Sequence, residues 1–284
     1  MKQKIIRSKA GFTLVELSLA TLFLAVLLLM IATIIINVST IYQKGLTLRG
    51  ISASGKTIID DVDRSVADAP LMRFKDNDLK EAHKNFFLEH RETAWVTSEN
   101  GTRKEEAKDV QFSGIFCTGR YSYIWNTGYA LNDRDGNGRI AFKGKNDSEL
   151  KDDFRLIKVL DPMRYICMPE NPQRPNDRKR RELDNPQDRY IEMSDMQPEE
   201  LLADKVSNLP LALYELTIFP FQQDEISLHT FYSGTFVLAT IRGGVNTVRS
   251  AGDYCDPTNA GTLDGDFNYC AVNKFNFTAQ AEGK

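Results

Sequence analysis

The sequence predicts an α+β protein: a long N-terminal helix, transmembrane in its first half and amphipathic in its second, packed on an antiparallel β-sheet. Three observations predict this. Residues 12–38 form an almost unbroken apolar run with Glu16 as the only charged side chain and no proline. Residues 39–69 keep apolar positions at helical spacing between charged ones. From about residue 85 onward, short runs rich in Val, Ile, Phe and Tyr alternate with turn-forming residues, the pattern of strands.

At about 1.5 Å rise per residue, a helix over 12–38 spans roughly 40 Å, enough to cross a bilayer with some tilt. Lys2, Lys4, Arg7 and Lys9 precede it with no acid among the first eleven residues. The positive-inside rule keeps such a leader in the cytoplasm and sends the bulk of the chain outward. The whole chain carries a formal charge of −3 and the leader +4, so the remainder carries −7. That balance gives no electrostatic case for nucleic-acid binding. A secretory signal has its small-residue cleavage site after the apolar region; here the plausible site, Gly11, comes before it. Cleavage there leaves the helix on the product, starting at Phe12 with a free amine. Glu16 lies four residues on, and its structural alternative is an acid snorkelling at the interface. Its functional reading is a charge partner for the Phe12 amine of an adjacent copy.

Ile51, Ile58, Ile59, Val62 and Val66 form the stripe of the second helical half, and Gly45, Gly50 and Gly55 weaken it enough to admit a bend. Pro70 ends it. Strands are expected over 94–97, 110–118, 121–126, 154–160, 163–168, 211–219, 225–231 and 235–242, the last three as a meander with a turn at Ser233-Gly234. Five prolines between 169 and 208 read as a long surface insertion. Within it Arg178-Lys179-Arg180-Arg181 is interleaved with acids and lacks an aromatic platform, so a solvated loop is preferred over an anion-binding patch.

Asp133, Asp135 and Asn137, followed by Gly138 and Ile140, reproduce the opening of a calcium loop, in which alternate oxygens converge on a hard cation. The acid expected at the twelfth position is replaced by Gly144, and the alternative is a tight turn. Calcium is therefore a candidate ligand, and no cofactor is required. Cys117, Cys167, Cys255 and Cys270 all follow the apolar segment with no C-x-x-C pair, which fits two disulfides in an oxidising compartment. Of three connectivities, Cys117–Cys167 with Cys255–Cys270 is preferred, because the second closes a compact loop of turn residues over 255–270.

Lys9-Ala10-Gly11-Phe12-Thr13-Leu14-Val15-Glu16 resembles the class III signal of type IV pilins and pseudopilins. The resemblance covers the leader and first helix. It implies a pilin-like fold, cleavage after Gly11 by a prepilin peptidase, methylation of Phe12, and use of Glu16 in filament assembly. It also implies partners: other pilin subunits bundled through their helices, and an inner-membrane assembly platform. The 255–270 loop is similar to the disulfide-bounded region of pilins. Many major pilins carry a helix-breaking proline that is missing here before Pro70. By the same resemblance, a globular part of residues 70–284 is large for a major pilin and suits a minor one. No nucleophile elbow, phosphate-binding loop, Rossmann glycine pattern or H-E-x-x-H occurs, so no enzyme active site is expected. The expected organisation is a leader (1–11), an assembly helix (12–38), its amphipathic continuation (39–69) and an extracytoplasmic β-rich domain. The expected location is a single-pass inner-membrane protein that passes to the pilus or cell surface. The rivals are a pseudopilin of a type II secretion or DNA-uptake system and a membrane-anchored binding protein that never polymerises.

Overall fold

A computed structural model of the chain describes residues 11, 13–69, 86–97, 105–131, 140–143, 150–151, 155–162, 166, 190–191, 198–202, 211–221, 230–240 and 271–281. The layout is α+β: one long N-terminal helix, α1 (Leu14–Ala67), followed by antiparallel sheets. The chain divides into two units, Met1–Leu46 and Thr47–Lys284.

In the first unit the described residues are almost all helical and exposed. Leu, Ile and Ala favour the helix, and no Pro interrupts it.

In the second unit the helix buries Thr47, Gly50, Ile51, Gly55, Ile58, Val62, Ser65 and Val66. Their three- and four-residue spacing makes one continuous stripe, the face expected from the sequence. After Ala67 the last turn tightens: Ala69 N–H donates to Val66 O at 2.8 Å. The described strands are β1 (Phe87–Thr97), β2 (Glu105–Cys117), β3 (Tyr121–Asn126), β4 (Ala141–Lys143), β5 (Leu150–Lys151), β6 (Leu156–Leu160), β7 (Tyr190–Ile191), β8 (Glu199–Glu200), β9 (Leu211–Phe221), β10 (Thr230–Thr240) and β11 (Val272–Ala281). They make a five-stranded sheet in the order β1-β2-β3-β6-β8, a three-stranded meander β11-β10-β9, and a small sheet β5-β4-β7. All pairings among them are antiparallel except β4 with β7.

Strand alternation sorts the five-stranded sheet into two buried faces. Phe116, Tyr123, Trp125 and Leu156 join the helix stripe and the meander residues Leu216, Ile218, Phe236 and Phe277 in the main core. Ile115, Cys117, Ile124, Ile157 and Val159 form a second cluster on the opposite face, covered by Ile140 and Ile166. The two larger sheets meet through a side chain. Gln111 of β2, 3 % exposed, donates from Nε2 to Leu216 O at 2.9 Å and accepts Leu216 N–H on Oε1 at 2.7 Å. Its amide thus pairs with β9 as a strand backbone would. Both long hairpins carry a bulge, one skipping Phe112 and one skipping Tyr214. The Phe112 carbonyl is taken up by Thr127 N–H at 2.7 Å.

Several expectations change. β10 runs unbroken through Ser233-Gly234, where a turn was expected. Gly234 is a packing residue: a Cβ there would strike the Phe277 ring. β11 falls in a region read as loop, and Ile166 lies in a turn where a strand was expected. Within the expected insertion, β8 pairs with β6 and Leu202 is buried. The segment before the Asp133 loop is a short helix, α2 (Gly128–Leu131), capped by the Thr127 hydroxyl accepting Ala130 N–H at 3.2 Å.

A polar strap reinforces the helix–sheet contact in the second unit. Lys158 Nζ lies 2.8 Å from Asp61 Oδ1 and 4.1 Å from the centre of the Tyr121 ring. The Tyr123 hydroxyl is 2.8 Å from Asp61 Oδ2 and 2.6 Å from Ser65 Oγ. Burial, and then the Asp61 charge, push the Tyr123 phenol far above its ordinary value.

This packing can be tested at a glycine and at a tyrosine. A Cβ at Gly55 would run into the Phe275 ring, which is stacked on Phe236 with centroids 5.0 Å apart, so the stack would have to shift to admit it. Gly55→Ala is expected to cost about 1–3 kcal/mol. Gly45→Ala, with open space around its Cβ, should instead strengthen the helix by up to about 1 kcal/mol. Thermal melts of the full chain in detergent, followed by near-UV circular dichroism, separate the two; equal melting temperatures would refute the packing role. For Tyr123, the folded state holds its proton where the unfolded chain releases it near pH 10, so its contribution is complete below about pH 10 and declines as pH rises. Tyr123→Phe should lower stability at neutral pH by about 1 kcal/mol and flatten the alkaline decline in denaturant titrations. An unchanged alkaline slope would show that the phenol does not report on folding.

Candidate functional site

The start of α1 carries the chemistry singled out in the sequence. Leu17 N–H donates to Thr13 O at 3.1 Å, which makes Thr13 the N-cap. Glu16 N–H donates to Thr13 Oγ1 at 3.2 Å, while Glu16 Oε2 accepts Thr13 N–H and the Thr13 hydroxyl, each at 2.9 Å. This reciprocal pair is a capping box, with threonine at the cap and glutamate three residues on. It also sets a carboxylate beside the positive end of the helix dipole. Glu16 therefore serves its own helix within a single chain, a role absent from the expectations above. The Thr13-x-x-Glu16 spacing was the available signal.

Downstream of the box, the large hydrophobics from Leu14 to Leu48 are exposed, Leu14 at 84 % and Phe23 at 71 %. None of the most apolar window is buried within the chain, and the helix is long and apolar enough to cross a membrane. Gly11 is exposed and its surroundings are open. Phe12 lies outside the described residues.

The remaining candidates divide between described and undescribed positions. Cys117 is 1 % exposed and disulfide-bonded. Ser122 Oγ lies 3.1 Å from its sulfur and 2.9 Å from Asp161 Oδ2, and the same carboxylate oxygen accepts Ile166 N–H at 3.0 Å. Asp161, fully buried, thus fixes the backbone at Ile166 beside the Cys117 end of β2. Cys167, Cys255 and Cys270 themselves lie outside the described residues. So do Asp133, Asp135 and Asn137, although Ile140 at the exit of their segment is fixed. Asn126 Nδ2 donates to Ile140 O at 2.9 Å and Asn126 Oδ1 accepts Ile140 N–H at 2.8 Å. The segment over 241–270 is likewise tied at its base, with Thr240 N–H donating to Ala271 O at 3.0 Å and Ala271 N–H donating to Thr240 Oγ1 at 3.1 Å.

Thr13, Gln111, Asn126, Asp161 and Thr240 are the positioning residues that sequence reasoning did not find. Apart from Thr13, each is a lone polar residue in or beside an apolar strand, and nothing local announces its partner. Among the described residues, no three His, Cys, Asp or Glu side chains converge as a metal site. No family model, curated protein or solved structure matches this chain.

Proposed function

We propose that this chain is a structural subunit of a type IV pilus or related filament, a minor pilin cleaved after Gly11 by a prepilin peptidase and assembled through its N-terminal helix. The observation that carries the reading is the first unit. An exposed apolar helix begins three residues after Gly11, and an acid in its first turn is held at the helix start. Such a surface is stable in lipid or against other copies of itself, and not in water. In this reading, processing frees the Phe12 amine, the Glu16 carboxylate attracts it in a neighbouring subunit, and the apolar helices bundle in the filament core. The β-rich part, with the 169–208 insertion and the 255–270 loop, faces outward.

The capping box is compatible with one rival as well. Because Glu16 serves its own helix, an anchored binding protein that never polymerises also has a use for it. Alanine replacement therefore does not separate the two readings, since it removes cap and charge together. Glu16→Gln does separate them, because glutamine at this position preserves the box and abolishes the charge.

On the filament reading, Glu16→Gln keeps normal membrane insertion and fails to enter filaments, as measured by co-sedimentation of the subunit with sheared filaments. Filament incorporation equal to that of the unmodified chain would remove the charge-pairing mechanism. Mass spectrometry of the native N-terminus should find methylated Phe12 as the first residue. An intact leader, or cleavage beyond the apolar run, would remove the pilin reading altogether.

A further inference from the structure

The hydroxyls inside the apolar helix are satisfied by their own backbone. Ser18 Oγ donates to Val15 O at 2.9 Å, Thr21 Oγ1 to Ser18 O at 2.9 Å, and Thr33 Oγ1 to Met30 O at 2.7 Å. All other side chains over 17–36 are apolar. At 1.5 Å per residue this stretch is about 30 Å long, the thickness of a bilayer's hydrocarbon core.

Two polar side chains of a different kind bound it. Glu16 turns back toward the helix start in its bonds with Thr13. Asn37, at the other end, makes no side-chain hydrogen bond among the described residues. Its amide has two donors and an acceptor left open to water or headgroups, and drawing it into hydrocarbon unpaired costs a few kcal/mol. Tyr42, 67 % exposed, and Lys44 follow at headgroup depth, where aromatic and cationic side chains anchor a spanning helix.

We propose that Asn37 is a depth stop: the hydrocarbon of the bilayer covers residues 17–36, with Glu16 at one boundary and Asn37 at the other. Sliding in one direction drags the Asn37 amide into lipid, and sliding in the other drags the Glu16 carboxylate in. The span is thereby narrower than the 12–38 expected from composition, and Glu16 lies at an interface, where its capping box is formed. The inference rests only on the membrane-spanning part of the proposed function. It holds equally for a filament subunit and for a non-polymerising anchor.

Depth-dependent fluorescence quenching tests it on the full chain in vesicles of phosphatidylethanolamine and phosphatidylglycerol with acyl chains brominated near the headgroup or near the tail. Tryptophan is placed singly at Leu17, Leu27 or Ile36, over the constant background of Trp95 and Trp125. Leu27→Trp should be quenched most by deep bromines, and Leu17→Trp and Ile36→Trp equally and most by shallow ones. Adding Asn37→Leu should shift Ile36→Trp deeper and Leu17→Trp shallower, whereas Asn37→Gln should keep the native pattern. Unequal depths at positions 17 and 36 in the native background, or no shift on Asn37→Leu, would overturn the proposal. Absence of deep quenching at position 27 would overturn the membrane span itself. The expected depth pattern in a chain that fails to enter filaments would count against the filament alone.

Discussion

The stripe from Ile51 through Gly55, Ile58 and Val62 to Val66 is the constraint around which the second unit is built. A helix with one apolar face must bury it, and here two sheets cover it together. Tyr123 and Trp125 come from one sheet, Phe236 and Phe277 from the other, all in one cluster with the stripe. The packing is close enough for a glycine to be required where the helix meets Phe275. The polar edge of the contact is settled by exchange. Asp61 gives up part of its hydration and gains Lys158 and the Tyr123 hydroxyl, so its charge is compensated.

Once two sheets lie on one helix, some backbone groups at their strand ends and open edges have no neighbouring strand. Side chains complete the pairing at these points. Gln111 supplies an amide to Leu216, Asn126 supplies one to Ile140, and Thr240 closes the base of the segment that returns at Ala271. Each is almost fully buried, where an unpaired peptide group would cost more than the bond itself contributes. Asp161 does similar work for the turn at Ile166, and in doing so ties the disulfide-bonded strand end at Cys117 to the layer that covers it. The fold is therefore held by a few buried polar residues as well as by its apolar core.

Segment-local signals and cross-chain demands differ in how far they can be read in advance. The apolar run and the helical stripe depend on composition and spacing within one segment, so both were legible, as was β3, bounded by the left-handed Gly119 at φ 114°. β11 was not, because exposed Lys274, Asn276 and Thr278 alternate with its apolar positions, Asn273 dilutes the inner face, and its partner strand lies some way upstream, across the 241–270 segment. β10 was cut in two by a Ser-Gly pair that signals a turn locally; the Phe277 ring, known only from the cross-strand register, makes Gly234 a strand residue. At the candidate site the Thr13-x-x-Glu16 signature stood in the sequence, but an acid beside an apolar run fits a partner in another chain as well as a cap on its own helix. Intrachain demands were the part most easily overlooked.

The capping box also constrains how a filament of such subunits would form. A lone carboxylate near the centre of a spanning helix costs roughly 2.5–3.5 kcal/mol on insertion scales. At the boundary of the apolar stretch, bonded to Thr13, Glu16 escapes most of that cost, and its exposed capping bonds add only a modest stabilisation. A trans pair with a neighbouring amine must exceed this modest value to displace the box, and it gains little from relief of an unpaired charge. Affinity must then come from the exposed apolar side chains between Leu14 and Leu46. They have no hydrophobic reason to associate in lipid, and every reason to do so once withdrawn from it. In the proposed filament, the apolar surface supplies the driving force, while Glu16 decides which register that surface adopts.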